Sequence, residues 1–506
     1  MPDQLGFGTA TTPAPGAGAG AQFDVTGSGI TDTAKAAVIF YSAQTADDSS
    51  DAPARIGVSL VSVEPTSKSA SLGFLARDGL SAPDARTATG GFMGYTPRNS
   101  AFGTQFDQSF SYVSQISGGL RFDTDFDPLV QTKLSALIFA GSGMRSWLTS
   151  VVEASTTPMN VDCGPTNPTD QRFRPHLLIV LCKDSMGVSG QVNDGTGHLG
   201  FVIDDGSATQ VCAFSDLDDA TEPSDADGEN RNDVGAAGLR ATARGTRVTV
   251  TFGFNSTGFS VVSSSDTLDV RVLAVRFELP PRLAAKSFAL DGSSTQDFAL
   301  DFNPEAILGF ASPLSALNSL DSSEDSASHG LFMLGPSFER AYAARMKYGE
   351  STTSSASSRQ GDHALLLLDH VGSVISQGSY GGLPSSGNGF SVDFSPAEVG
   401  RITVLAMSTF QLAPDPLDIG LELPAPSIPD MLSPGAIDAA VELPAPAVIL
   451  PLQPSPIDVA VSAPAPVVHV WFSYTDPPVT PELGDLHAKT LEQLLPRGVA
   501  WPRGQS

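Results

Sequence analysis

The densest run of groups that could do chemistry is "DLDDATEPSDADGENRND", Asp216–Asp233. Asp225, Asp227, Asn230 and Asp233 have part of the spacing of a calcium loop, in which side-chain oxygens recur along a tight turn. An EF-hand also needs Gly after the third ligand and Glu at the twelfth position, and neither stands where it should. Asp225, Asp227 and Asp233 are therefore weak calcium candidates. The stretch is expected to be an exposed, solvated acidic loop.

Glycoside hydrolysis needs two carboxylates at a set separation. Acids are so common, as in "RFDTDFD" at Arg121–Asp127, that no pair stands apart from the rest. The seven histidines are scattered. His176, His198 and His329 open apolar runs, and His363 and His370 flank "ALLLLD". None has metal-ligand spacing. GxSxG and the P-loop are missing from the sequence. The expectation is no enzyme, no catalytic residue and no cofactor.

The elements carrying these residues read as strands. Of 506 residues only 16% are charged, while Gly (49) and Pro (38) are frequent and long amphipathic helical patterns are nearly absent. A net charge of −27 argues against nucleic acid, whose phosphates need Lys and Arg, and against an anionic membrane surface. Cys163, Cys182 and Cys212 are an odd set without a CxxC pair, so a disulfide framework is not expected, and Cys182 reads as a buried thiol. No stretch of about 18 apolar residues suits a membrane span. The first residues, "MPDQLGFGTATTPAPGAGAGAQF", lack the basic and apolar regions of a secretory signal.

Three apolar runs resemble one another: "AAVIFYSA" from Ala36, "HLLIVLCK" from His176 and "AILGFASP" from Ala306. Each is followed by a second run, "ARIGVSLV", "GHLGFVID" or "SHGLFMLG". A third block closes each unit: "GGLRFDTDF", "TGFSVVSSSD" or "NGFSVDFSPA", followed by another apolar run. His198 to Gly258 and His329 to Gly389 are both 60 residues, and the two pairs are offset by 131. Short alternating or continuous apolar runs between Gly, Ser, Asp and Pro are strand chemistry. The expected fold is mostly β: three tandem β-sandwich or jelly-roll modules at 21–150, 151–283 and 284–411, behind a Gly/Ala/Pro-rich arm at 1–20. "FERAYAARM" from Phe338 is the place where a helical turn is expected.

Beyond the modules the chain counts in twenties. "PDPLDIGLELPAP", "PGAIDAAVELPAP" and "PSPIDVAVSAPAP" begin at Pro414, Pro434 and Pro454. Each carries a seven-residue alternation with one apolar face, stopped by Pro-Ala-Pro. Such a strand cannot bury its face alone. The repeats at 412–472 are expected to form a stalk or docking segment, burying Leu417, Leu421, Ile437, Val441, Ile457 and Val461 against other chains. Residues 473–506 are expected to form a short helix, within "PELGDLHAKTLEQLLP", and a docking peptide. Leu494, Leu495 and Trp501 are its candidate anchors.

The blocks "FDVTG…AAVIFYSA…ARIGVSLV…LARDG…GGLRFDTDF…LSALIFAG" resemble a tandem β-module of structural proteins in tailed bacteriophages. "LEQLLPRGVAWPRGQS" is similar to the opening motif of a tail-protein family of Mu-like phages, matching at Leu494, Leu495, Pro496, Gly498, Ala500, Trp501 and Pro502. The family continues into a full domain, whereas this chain stops four residues after Pro502. The resemblance implies a virion structural protein, assembled in the host cytoplasm, in a tail fibre or attached to the baseplate. Its expected partners are other tail or baseplate proteins and further copies of itself, a trimer being the candidate, with a host-surface glycan as a candidate ligand. A head fibre or capsid decoration, a bacterial adhesin exported without a Sec signal, and a depolymerase fibre are the alternatives.

Overall fold

The computed structural model describes residues 3–409 except 43, 45, 49, 52–53, 65–67, 77–84, 91–92, 98–105, 126–130, 166–170, 185–189, 194, 218–225, 241–242, 324–325, 327, 347–355, 370–371 and 385–386. The described chain is mostly β, in three large and three small antiparallel sheets.

The first large sheet runs Gln4–Thr11, Lys133–Ala140, Ala34–Ser42, Ala54–Ser62, Lys68–Ala76, Ala85–Gly90 and Gly190–Asn193. The second runs Arg145–Leu148, Leu268–Arg276, Leu177–Lys183, Gly195–Ile203, Thr209–Leu217 and Ala226–Arg231, with Val152–Ala154 also on Leu268–Arg276. The third runs Arg282–Asp291, Val399–Ser408, Ala306–Ser312, Ser328–Gly335, Phe338–Met346, Ala356–Gly361 and Ser50–Asp51. Each large sheet faces one small sheet. The small sheets begin with Gln22–Thr26 beside Gly119–Thr124, Met159–Asp162 beside Gly258–Ser263, and Thr295–Ala299 beside Gly389–Phe394. We call each large sheet with its small partner a block.

The continuous apolar runs have a direct cause. A strand with one wet face alternates, whereas a strand buried on both faces does not. In the first block Ala37, Ile39 and Tyr41 pack toward the small sheet with Val25, Phe110, Leu120 and Phe122. Val38 and Phe40 point the other way, into a core shared by all three blocks. The second block repeats this, with Leu178, Val180 and Cys182 on the small-sheet side and Leu177, Ile179 and Leu181 in the shared core. In the third, Ile307 and Ala311 face the small sheet while Ala306, Leu308 and Phe310 enter the shared core. Without its neighbours each large sheet would expose one whole apolar face. Each buried Leu or Phe is worth roughly 1.5–3 kcal/mol, so the common core is a major part of what holds the blocks together.

The glycines that open "GGLRF", "TGFSV" and "NGFSV" have one physical reason. Gly119, Gly258 and Gly389 each begin the second strand of a small sheet. A Cβ at these positions would overlap the carbonyl oxygens of Val25, Val161 and Phe298 on the neighbouring strand.

Three expectations are corrected. Residues 4–11 are not part of an arm. They form an edge strand paired along its whole length with Lys133–Ala140, and Phe7 stacks on Phe338 of the third block at 4.7 Å. The second and third blocks start earlier than expected, at Arg145 and Arg282. "FERAYAARM" is a strand, because Tyr342 and Ala344 fill the shared core while Ala341 and Ala343 fill the small-sheet side. Two-sided burial overrides the helix preference of Ala and Arg.

Candidate functional site

The charged and polar side chains collect where the blocks meet. In each block the connection from the third to the fourth strand of the large-sheet order crosses to the far edge of another block's large sheet. Ser50–Asp51 of the first block pairs with Ser358 and Arg359 of the third. Gly190–Asn193 of the second pairs with Arg86–Thr89 of the first. Asp321 of the third bridges Gly228 of the second, with N–H donated in both directions at 2.9 and 3.0 Å. The exchange is cyclic, so every far edge receives one connection. Unpaired edges invite strand addition by other chains, and the crossings occupy them.

The seam between the first and third blocks is ionic. Asp47 accepts from Arg340 Nη2 at 2.5 Å and from Lys133 Nζ at 2.8 Å. Arg340 is buried and also donates to Asp362 at 2.7 Å. Burial works against the Arg340 charge, but its contacts with Tyr342, Asp47 and Asp362 outweigh this and raise its pKa. Burial likewise opposes the Asp47 carboxylate, and Arg340 and Lys133 overcome it, holding its pKa below the usual value. Asp48 lies 2.6 Å from His363 Nε2 and 3.6 Å from Arg359. Gln360 Nε2 donates to the Gln44 carbonyl at 3.1 Å, and Gln44 donates back to the Ser358 carbonyl. Beneath them Tyr342 and Ser135 join hydroxyls at 2.9 Å across the same seam.

The seam between the third and second blocks passes through the acidic stretch and overturns the loop expectation for residues 226–231, while residues 218–225 lie outside the described residues. Residues 226–231 are a buried strand. Asp227 accepts from Ser322, and Asn318 N donates to the Asn230 carbonyl at 2.8 Å. Glu229, wholly buried, accepts from Arg231 at 3.0 Å and Arg247 at 2.7 Å. Asp233 pairs with Arg231 at 2.6 Å. Asp227, Glu229 and Asp233 are thus engaged with a serine and two arginines. Of the weak calcium candidates, Asp227 accepts from Ser322 and Asp233 pairs with Arg231, and Asp225 lies outside the described residues. Among the described residues no group of three or more His, Cys, Asp or Glu is placed to hold a metal ion.

The seam between the second and first blocks is lined by buried polar side chains. Thr196 N donates to Thr87 Oγ1 at 2.7 Å. Lys183 Nζ donates to Thr196 Oγ1 at 2.8 Å, and Thr196 Oγ1 donates to Asp216 at 2.6 Å, all four residues being buried. Beside it lies a cavity lined by residues of all three blocks, among them Ile56, Phe74, Gly197, His198, His329 and Leu331. It leaves about 10 Å³ for the centre of a water-sized sphere, room for about one water. His329 touches every block: its ring stands edge-on to Phe74 at 4.9 Å, stacks on Phe310 at 5.4 Å, and fills the space where a Cβ on Gly197 would sit. Among the described residues its Nδ1 has no hydrogen-bond partner. Burial lowers the pKa of each from 6.5 to about 3, so both rings are neutral at pH 7.

The three cysteines are free and buried. Leu417, Leu421, Ile437, Val441, Ile457, Val461, Leu494, Leu495 and Trp501 lie outside the described residues. The seam residues Asp47, Arg340 and His329 escaped sequence reasoning, since their partners are up to 293 positions away. The one available signal was the polar, Asp- and Ser-rich makeup of the connections after "VIFYSA" and "ILGFAS", which read as ordinary turns. Among the described residues these hydroxyls, acids and bases are paired with one another, some within a block, as Glu229 with Arg231 and Arg247, and others across seams, as Asp47 with Arg340. No protein-family model, no curated protein and no solved structure matches the chain.

Proposed function

We propose that the chain is a structural protein of a bacteriophage virion, a component of a tail fibre or attached to the baseplate. In this reading the three blocks are tandem β-sandwich modules. The twenty-residue repeats form a stalk or docking segment that joins other virion proteins or further copies of the chain, with a trimer as the expected assembly. The C-terminal helix and Trp501 peptide dock on a neighbour, and no catalysis is involved. The observation that carries the reading is the cyclic closure of three sheet edges around one core. That construction favours rigidity over a cleft, as a load-carrying appendage requires, and the acidic surface keeps so large a β body soluble. Contact with a host-surface glycan is the further role proposed for the modules.

The test is localisation. Particles purified from a lysate are analysed by mass spectrometry and labelled with antibody against residues 21–411. The expected result is the chain in the particle at a fixed copy number, with label at the tail tip or fibres. Deleting Gln411–Val470 should remove the protein from particles while the β blocks still fold. Label on the head would replace the tail assignment with a head fibre or decoration. A chain absent from particles and present on intact bacterial cells would overturn the virion reading in favour of an adhesin.

A further inference from the structure

We propose that the three blocks are one self-complementary unit written three times, and that the partner each unit fits is another unit of its own kind. The recognition element is the crossing connection, and the receptor is the far edge of the next large sheet. The inference takes up the module reading above but stands on the strand pairings, so it does not depend on the virion assignment.

Three observations carry it. The strand orders correspond position by position, and the connection that crosses is the same one in each block. The crossings run first to third, third to second and second to first, which closes a ring in which each far edge receives one connection. The inner faces of all three large sheets form a single core, so each unit's apolar face is completed only by the other two. This is the arrangement of a trimer of separate chains, with the covalent links added.

The links themselves are short. Ser142 and Gly143 join the first block to the second at an exposed turn, and Glu278, Leu279 and Pro280 lie exposed between the second and the third. No strand pairing depends on them.

The side chains at the three seams differ. The first connection is acidic, and its Asp47 and Asp48 meet Arg340, Arg359 and His363. The third connection reaches its edge through Ser322 on Asp227, Asn318 on Asn232 and the backbone of Asp321 on Gly228. The second connection relies on backbone pairing and on Thr196 with Thr87. Each connection therefore meets its edge through a different set of contacts.

The experiment uses the full chain. Protease sites are inserted after Ser142 and after Leu279, singly and together, and the purified protein is cut under native conditions. The expected result is that the fully cut protein elutes with the uncut protein, all three pieces in one peak, with an unchanged β-sheet circular dichroism spectrum. Pieces that separate at neutral pH and moderate salt would overturn the inference, as would a loss of the β signal on cutting. The same cuts are made in Asp47→Asn/Asp48→Asn. Uncut, this variant should melt cooperatively, because the links hold the first block in place. Cut, it should release the first piece with a dissociation rate at least tenfold above the cut wild type. Equal rates would overturn the assignment of Asp47 and Asp48 as recognition residues. A chain that survives cutting but is absent from particles would keep this inference and lose the virion reading.

Discussion

His329 offers the sharpest test of the shared core, because one ring contacts all three blocks. The perturbation is acid. The unfolded chain takes up a proton at His329 below pH 6.5, and the folded chain does so only near pH 3, because burial lowers its pKa. The stability tied to this difference is whole above pH 6.5 and is lost progressively as the pH falls from there toward 3. Each pKa unit corresponds to about 1.4 kcal/mol, so going from pH 7 to pH 4 removes about 3 kcal/mol through this residue alone. The residues lining the cavity offer no carboxylate to receive the new charge. The assay is urea unfolding of wild type and His329→Gln at both pH values, with the difference between pH 7 and pH 4 taken within each protein. Carboxylates that lose their partners in acid, such as Asp47, act in both proteins and cancel. The wild type should lose about 3 kcal/mol more than the variant. An equal loss, within about 0.5 kcal/mol, would refute the placement of a neutral, unsolvated imidazole at the meeting point of the blocks.

Other outcomes follow from the same contacts. Gly119→Ala and Gly258→Ala should each destabilise by about 1–3 kcal/mol or more, since the added Cβ meets a backbone oxygen that cannot swing away; calorimetry measures it. Arg340→Ala should cost about 3 kcal/mol in urea titrations, because it strips the buried partner from Asp47 and opens a gap over Tyr342. Cys163, Cys182 and Cys212 should be silent to a thiol reagent in the native protein and all react in denaturant, burial having raised their pKa values and blocked access.

Much of the strand content could be read from the sequence, because burial writes itself into composition. "VIFY", "LIVL" and "ILGF" carry no polar alternation since both their faces are covered, and each is a strand at the third position of a large sheet. The small-sheet glycines could be found through their "GF" or "GL" context. Register was another matter. The equal spacings align His198 with His329, yet the structure places them on opposite faces of their sheets. Leu199 and Phe201 enter the shared core in the second block, as Leu331 and Met333 do in the third, so Gly197 and not His198 occupies the face held by His329. A slip of one residue flips every side chain in a strand, and spacing alone does not fix it. The acidic stretch misled for a related reason. Charge density reads as solvent exposure, but Glu229 is buried by two arginines, one of them 18 positions along the chain. Edge strands such as Gln4–Thr11, rich in Gly and Thr, gave no signal above that of a linker.

The cyclic closure of the three sheets is tested most directly by hydrogen exchange at the crossing connections. The amides of Asp48, Thr196, Gly228 and Asp321 donate across seams, to the Gln360 carbonyl, Thr87 Oγ1, the Asp321 carbonyl and the Gly228 carbonyl respectively. All four should exchange as slowly as amides in Leu177–Lys183, at the centre of a large sheet, and should become fast together when the protein unfolds. If they exchange within seconds in the native protein while the central strands stay protected, the connections do not close the ring and the account is wrong.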